Sequence, residues 1–370
     1  MIIGVPKELP PIKGGLECRV ASSPWGVREL IAAGADVYVE STAGKVVGFS
    51  DENYVAAGAK IAYSREEAYK RADILLKVRV PHKEEWEYLR EGQILFGFLH
   101  LATAPKELIQ TFIERKITAI GHEIIQEPDG HLPILKPISE IAGKMAPQIA
   151  ARLLETASGG RGILLGGISG IPPAEVVILG AGTLGSHAAE SFLGTGASVY
   201  VVDRNREKLE RLQHQLGHRI VTLLMNKYNL EKLVKFANVL ICAVLVPGER
   251  TPVVITKEMV SSMKEGSVII DFSIDQGGCC ETSRLTPLKD FVFKADGVTH
   301  FCMPNSTTLV ARTASHAITG SSLPFIVKVI TLGIEKALDE VPSLRKGTYI
   351  HKGVILHKYL KDLYTKHELV

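Results

Sequence analysis

The chain has 370 residues, and 46% of them are apolar, which is enough to form the cores of two domains. Its 43 Lys and Arg residues against 40 Asp and Glu residues give a net charge of only +3. This near balance argues against nucleic acid or a membrane surface as a partner and favours a small-molecule substrate.

The five cysteines are odd in number and include no CxxC pair. This argues against a disulfide framework and against a structural zinc site, and the adjacent Cys279 and Cys280 are interpreted as packing residues. We therefore expect no metal and a reducing, cytoplasmic compartment. The N-terminus lacks the features of a signal peptide, and no run approaches about 18 apolar residues, so no membrane-spanning segment is expected.

The first third of the chain alternates short apolar runs with amphipathic stretches, which is the pattern of parallel strands joined by helices. Strands are predicted at 2–5, 36–40, 74–78, 94–98 and 118–120, and helices at 25–33 and 106–115. A helix is predicted over 141–155, with Ser139 as its capping residue.

A glycine-rich loop over 158–170 separates this part from a second α/β unit. Strands are predicted there at 176–179, 198–203, 239–246 and 268–271. A helix over 315–338 is expected to return the chain to the first domain.

The run 176–179 leads into Gly180-Ala181-Gly182-Thr183-Leu184-Gly185, and Asp203 closes the next strand 18 positions after the last glycine. Gly180 permits a tight turn, Gly182 permits close approach of a pyrophosphate, and Gly185 permits strand–helix packing. An acidic Asp203 favours NAD over NADP, because a carboxylate repels a 2′-phosphate, although the adjacent Arg204 weakens this inference. A nucleotide-free domain or a flavin site is the alternative.

Two residues near strand ends are candidates for chemistry. His100 follows the apolar run 94–99, and a histidine titrating near neutrality suits proton transfer at a carbonyl. The alternative is a core histidine satisfied by the backbone. Asp275 precedes two glycines at 277–278, which indicates close backbone approach to a ligand, with an ordinary turn as the alternative.

Three cations are less distinctive candidates. Arg19 follows the first strand and is suited to binding a carboxylate with its fork of donors, although a solvated arginine is commoner. Lys77 and Arg79 share one face of a predicted strand, and periodicity alone does not decide their role.

These stretches together resemble the alanine dehydrogenase and proton-translocating transhydrogenase alpha-subunit family, nearly end to end. The DQGG and LHLA stretches, and a chain of 370 residues, resemble the alanine dehydrogenase branch. The matching segments are GVPKE at 4–8, RVA at 19–21, KVR at 77–79, LHLA at 99–102, SEIAG at 139–143, GAGTLG at 180–185 and DQGG at 275–278.

The resemblance implies two Rossmann-like, doubly wound α/β domains with a cleft between them. Residues 1–138 and 305–370 would form the substrate domain and 139–304 the NAD domain, in a homo-hexamer. The implied reaction is reversible oxidative deamination of L-alanine to pyruvate and ammonia. In it, Arg19 and Arg79 would bind substrate, His100 would be the acid/base, and Asp275 would orient ammonia or water. The implied NAD-contacting residues are Ser139, Gly180, Gly182, Leu184, Gly185, Asp203, Lys208, Val244, Leu245, Ile274 and Asn305.

Two segments depart from the family pattern. The family's lysine is replaced by Arg79, and Val80 follows where a glutamate is usual. Asn305-Ser306-Thr307-Thr308 stands where Asn-Met-Pro-Gly is usual. Two further hypotheses therefore remain: a related dehydrogenase for another 2-oxo acid or amino acid, and a catalytically altered NAD-binding homologue.

Overall fold

A computed structural model describes residues 1–10, 16–286 and 291–369. The described chain forms two α/β domains, each built on one mostly parallel sheet. The fold predicted from the sequence, two doubly wound domains with a cleft between them, is confirmed.

The first domain contains an eight-stranded sheet in the order β15-β14-β6-β5-β4-β1-β2-β3. The strands β1 to β6 are parallel, whereas β14 pairs antiparallel with β6 and β15 antiparallel with β14. Its strands are β1 (Ile2–Val5), β2 (Asp36–Glu40), β3 (Lys60–Ala62), β4 (Ile74–Arg79), β5 (Ile94–Phe98), β6 (Thr118–Gly121), β14 (Thr348–His351) and β15 (Val354–Ile355).

The second domain contains a seven-stranded sheet in the order β12-β13-β11-β10-β7-β8-β9, with only β12 antiparallel. Apart from the added edge strands, both sheets follow the doubly wound order 3-2-1-4-5-6, which places a ligand crevice at the carboxyl ends of the strands. Its strands are β7 (Glu175–Leu179), β8 (Ser198–Asp203), β9 (Val221–Leu224), β10 (Val239–Cys242), β11 (Val268–Asp271), β12 (Phe293–Ala295) and β13 (Val298–Phe301).

Helices cover both faces of each sheet, so the central strands are apolar throughout. In β7, Val176 and Ile178 pack into one apolar cluster, and Val177 and Leu179 pack into the cluster on the opposite face. The helices are α1 (Pro24–Ala32), α2 (Asp51–Ala56), α3 (Arg65–Arg71), α4 (Lys106–Glu114), α5 (Leu135–Leu154), α6 (Thr183–Gly194), α7 (Arg206–Gln215), α8 (Lys227–Phe236), α9 (Lys257–Ser261), α10 (Ala311–Leu332), α11 (Ile334–Glu340), α12 (Pro342–Lys346) and α13 (Lys358–Thr365).

Two long helices differ from their predicted bounds. Helix α5 begins at Leu135, so Ser139 lies inside it and does not cap it. The predicted domain boundary at 138/139 also falls within this helix. The helix predicted over 315–338 begins earlier and is interrupted at Gly333, which separates α10 from α11. Its φ of +77° is a conformation that favours glycine.

The strand predicted over 239–246 ends at Cys242, and the residues after it form a loop. No helix among the described residues is long and apolar enough to cross a membrane.

Candidate active site

A cleft with a cavity of about 530 Å³ is lined by residues of both domains. It lies where the strand ends of the two sheets face each other. Twelve of the predicted site residues line it, namely Arg19, His100, Ser139, Gly180, Gly182, Leu184, Asp203, Lys208, Val244, Leu245, Asp275 and Asn305.

The turn between β7 and α6 is shaped by its glycines. Gly180 has a φ of +107°, and a Cβ there would lie 2.4 Å from the carbonyl oxygen of Ala243. A Cβ on Gly185 would lie 1.8 Å from the carbonyl oxygen of Gly180, so this glycine is required for packing beneath the cleft. A Cβ on Gly182, by contrast, would meet no atom within 4 Å. The open space over Gly182 and the N-terminus of α6 fit a pyrophosphate.

Asp203 lies at the end of β8 and faces this turn. Its Oδ2 accepts a hydrogen bond from the Ala181 amide at 2.7 Å, and its Oδ1 accepts one from the Asn205 amide at 2.8 Å. Each carboxylate oxygen keeps a lone pair, so both can also accept from a ribose diol. Arg204 and Lys208 bring positive charge to the same end of the cleft.

The loop after β10 forms another wall of the cleft through Val244 and Leu245. It is fixed to the neighbouring strand end, because the Val244 amide donates to Ser273 Oγ at 3.1 Å and Ser273 Oγ donates to the Val244 carbonyl at 2.8 Å. Ile274, predicted to contact NAD, is buried and is not among the residues that line the cleft.

His100 ends the segment after β5 in a left-handed conformation, with a φ of +43°. Glu123 holds this segment, because its two carboxylate oxygens accept the Leu99 and His100 amides at 3.1 and 2.7 Å. The His100 ring stacks near Phe98, and its Nδ1 is buried without a hydrogen-bond partner among the described residues. The ring is thus held at the cleft with a nitrogen free for a ligand.

Asp275 lies on the 3-10 turn Ile274–Gln276 and connects both domains. Its carboxylate accepts the Asn305 amide at 3.1 and 3.2 Å rather than capping its own turn. Arg79, predicted to bind substrate, is not among the residues that line this cleft. Its Nη1 lies 3.9 Å from Oδ1 of the cleft-lining Asp275, and this nitrogen is buried without a hydrogen-bond partner among the described residues. Burial lowers the pKa of Arg79 from its ordinary value.

Arg19 is buried beside Glu17, and the two side chains form a bidentate pair with distances of 2.8 and 2.5 Å. Arg19 also donates to Thr307 Oγ1 at 3.0 Å and to Asn305 Oδ1 at 2.8 Å. Although burial opposes it, the charge of Arg19 lowers the pKa of Glu17. Four of the five N–H donors of Arg19 are therefore used within the protein.

Three residues of this site were not predicted from the sequence, namely Glu17, Glu123 and Thr307. Glu17 precedes Arg19 by two positions, and an acid–base pair so close in sequence is common on surfaces. Glu123 and Thr307 reach the site only through tertiary structure, since they are 23 and 288 positions from their partners.

Models of the N-terminal and C-terminal domains of the family described as alanine dehydrogenase/PNT match residues 4–142 and 146–358. An alanine dehydrogenase from Methanococcus maripaludis is 43% identical over 97% of this chain and 95% of its own length. The alanine dehydrogenase of Bacillus subtilis is 42% identical over 97% of this chain and 93% of its own length.

Comparison with solved structures points to the same family. An L-alanine dehydrogenase superposes with a TM-score of 0.89 at 40% identity, covering 99% of both chains. A transhydrogenase from Sinorhizobium meliloti superposes with a TM-score of 0.79 at 25% identity, covering 96% of this chain and 100% of that chain. On the family models, the near full-length relatives and the superposition, this chain belongs to the alanine dehydrogenase/PNT family.

Proposed function

We propose that the chain is an alanine dehydrogenase that catalyses the reversible, NAD-dependent conversion of L-alanine and water to pyruvate and ammonium. The observation that carries this proposal is a set of buried polar atoms without hydrogen-bond partners among the described residues: His100 Nδ1, Arg79 Nη1 and Asn305 Nδ2. Buried polar groups are normally paired, so these atoms are suited to a polar ligand that completes them. Relatives that bear the name alanine dehydrogenase are 42–43% identical over nearly the whole chain.

Binding of a nicotinamide cofactor is assigned to the second domain. The pyrophosphate would lie over Gly182 at the start of α6, and Asp203 would accept hydrogen bonds from the ribose diol. A carboxylate at this place disfavours the extra phosphate of NADP. When bound, the nicotinamide ring accepts hydride from the alanine Cα or returns it to the same carbon.

Substrate binding is assigned mainly to Arg79. Its unpartnered Nη1 is buried 3.9 Å from the cleft-lining Asp275, and we assign it to the carboxylate of pyruvate or alanine, since a charge-assisted pair of this kind is stronger than a neutral hydrogen bond. Arg19 keeps one free N–H donor, so it contributes at most a single bond to substrate and otherwise braces Asn305 and Thr307. This differs from the role that the family resemblance alone implies for Arg19.

Proton transfer is assigned to His100. In the direction of alanine oxidation, its imidazole removes a proton as water adds to the substrate imine and returns one as ammonia leaves. The carboxylate of Asp275 accepts a hydrogen bond from the attacking water or from ammonia. The same residue lies 3.9 Å from Arg79 Nη1, and its carbonyl accepts Thr103 Oγ1 at 3.2 Å, so its position depends on contact between the domains.

The direct test is NADH oxidation by the purified chain with pyruvate and ammonium. We expect turnover that needs both co-substrates and prefers NADH to NADPH. The His100→Ala variant should lose roughly 10²- to 10⁴-fold in kcat, since general acid/base catalysis contributes that much. His214→Ala, on the exposed side of α7, is the control and should retain activity. Absence of turnover with every 2-oxo acid tested would contradict the proposal.

The second candidate is a dehydrogenase of the same family that prefers another 2-oxo acid. It is favoured by Arg79 and by Thr307, which replace residues usual in the family: Thr307 lines the cleft, and Arg79 lies 3.9 Å from the cleft-lining Asp275. A higher kcat/KM with a larger 2-oxo acid than with pyruvate would support this candidate.

The proposal includes assembly into a homo-hexamer in the cytoplasm. Self-association is supported by a projecting turn on which three large apolar side chains are 60–67% exposed, those of Leu164, Ile168 and Ile171. The cytoplasm is supported by the five cysteines, which are all free thiols. Light scattering and cell fractionation test these two expectations.

A further inference from the structure

Four metal-ligating side chains meet in the core of the second domain, behind the cleft. Cys242 and Asp271 end the neighbouring strands β10 and β11 and are paired in register. Cys279 and Cys280 come from the segment that follows the Asp275 turn. One donor atom of each of these four residues lies within 4.8 Å of all the others, and Cys242 Sγ lies 3.4 Å from Cys280 Sγ.

From this arrangement we propose that Cys242, Asp271, Cys279 and Cys280 bind one zinc ion in a closed structural site. This proposal departs from the expectation of no metal, because the cysteine spacing does not show that these donors meet in the folded chain. A tetrahedral zinc–thiolate site has donor atoms about 3.8 Å apart, given Zn–S bonds of about 2.3 Å. The observed spread of donor atoms is therefore close to what zinc requires. Three thiolates and a carboxylate carry the same charge as the four-cysteine set of common structural zinc sites.

The hydrogen bonds around the cluster resemble those that surround the ligands of a metal site. The side chain of Asp271 is fixed by the Ser273 amide at 2.9 Å on Oδ1, and by the Cys279 amide at 2.9 Å and Ser283 Oγ at 2.6 Å on Oδ2. Hydrogen bonds of this kind orient ligating carboxylates in metal sites. Cys302 adds a contact to Ser283 Oγ at 3.7 Å.

Burial favours a structural ion over a redox function. The exposed fraction of each of the four residues is 3% or less. A thiol pair that exchanges with external disulfides needs access to solvent, which this cluster lacks. A closed set of four protein donors leaves no coordination position for substrate, as in structural zinc sites.

The ion would link three pieces of chain that form the cleft wall. Cys242 immediately precedes Ala243 and Val244, and Cys279 lies four positions after Asp275. Zinc at this point would hold the carboxyl ends of β10 and β11 to the segment that carries Asp275. This role is independent of which substrate occupies the cleft.

The test uses the full chain, produced without a metal-affinity tag. Its metal content is measured by inductively coupled plasma mass spectrometry. We expect about one zinc ion per chain. Replacement of zinc by Co²⁺ should give thiolate charge-transfer absorption and the intense visible bands of a tetrahedral site. Both measurements use the wild-type chain, so they do not depend on the folding of any variant.

Cysteine variants test whether zinc is bound at this cluster. Cys242→Ser and Cys280→Ser should each bind zinc more weakly by more than the roughly 10- to 100-fold that loss of an outer-shell partner causes, and should unfold at a lower temperature. Cys18→Ser, a half-buried cysteine outside the cluster, is the matched control and should keep its zinc. Circular dichroism of each variant distinguishes loss of zinc from loss of fold.

Several outcomes would overturn the proposal. These are a chain that stays free of zinc when produced with added zinc, a cobalt form without thiolate absorption, and undiminished zinc in the folded Cys242→Ser or Cys280→Ser variant. A different metal at the same thiols would also overturn it, as would a Cys242–Cys280 disulfide detected by intact mass. Activity of the zinc-free chain tests the proposed function separately.

Discussion

Arg19 lines the cleft and Arg79 lies beside the cleft-lining Asp275, and their partners give the two arginines different roles. Arg19 is buried, and its N–H groups donate hydrogen bonds to Glu17, Asn305 and Thr307. Arg79 has Asp275 as its nearest acid at 3.9 Å and keeps an unpartnered Nη1 among the described residues. The side chain with spare donors is the better carboxylate receptor.

Substitution of Arg79 tests this difference. Arg79→Ala should raise the KM for pyruvate roughly 10- to 100-fold, because it removes a charge-assisted contact of about 1.5–3 kcal/mol. Arg79→Lys should lose less, since it keeps the charge without the fork. Initial rates over a range of pyruvate concentrations measure both effects. Lys83→Ala, an exposed change nearby, is the control, and an unchanged KM in Arg79→Ala would contradict the assignment.

His122 illustrates the effect of burial on a titratable side chain. It lies beneath the cleft, edge-on to Phe98 at 5.2 Å, and neither ring nitrogen has a hydrogen-bond partner among the described residues. Burial lowers the pKa of His122 from 6.5 to about 3. The folded protein therefore keeps this ring neutral at pH values where the unfolded chain binds a proton.

This lowered pKa predicts acid lability. Between pH 6.5 and pH 3 the unfolded state holds more protons at His122, so the free energy of unfolding should fall as the pH falls, by up to about 1.4 kcal/mol per pH unit. His122→Phe should make the melting temperature less dependent on pH in this range, while His214→Ala should not. The prediction would be refuted if the melting temperatures of wild type and His122→Phe depended on pH to the same extent in this range.

At the scale of elements, Gly182 and Gly185 have different roles in the turn from β7 to α6. Gly185 is required for contact with the Gly180 carbonyl beneath the turn, whereas Gly182 faces open space. The backbone at Gly182, with a φ of −78°, also accepts any residue. One glycine therefore serves packing and the other serves the proposed cofactor.

Alanine substitutions separate these two tasks. Gly182→Ala should raise the KM for NADH and change the free energy of unfolding by less than about 1 kcal/mol. Gly185→Ala should destabilise the fold by roughly 1–3 kcal/mol, because its Cβ has no room. Thermal unfolding and NADH titration, done on both variants, measure the two effects. Equal loss of stability in both variants would contradict the distinction.

At the scale of the whole molecule, the two domains meet through specific hydrogen bonds and through helix α5, which packs on both cores by way of Ile138 and Ala146. Thr103 Oγ1 donates to the Asp275 carbonyl at 3.2 Å, and Arg250 Nε donates to the Ala102 carbonyl at 3.0 Å. The cleft residues His100 and Asp275 are thus positioned by contacts across the domain boundary. A shift between the domains would change their geometry.

Assembly is the prediction that belongs to this scale. The wild type should have a mass of about 240 kDa in solution, that of six copies of the 40.2 kDa chain. Aspartate at both Ile168 and Ile171 should yield smaller species, because charge on an apolar contact opposes its burial. Multi-angle light scattering measures the mass. Tyr63→Asp, at a large side chain that is even more exposed, is the control. An unchanged mass in the variant with aspartate at both Ile168 and Ile171 would contradict the assignment.

Local sequence determined the α/β class, the central strands and the glycine turn, since strand periodicity and GxGxxG are encoded in neighbouring residues. The resemblance added Ser139, Leu184, Lys208, Val244, Leu245 and Asn305, all of which line the cleft. Tertiary structure alone decided the contacts of Arg19 with Asn305 and Thr307, the support of His100 by Glu123 and the meeting of Cys242 with Cys280. These contacts join residues 23 to 288 positions apart, and no local pattern carries information about such pairs.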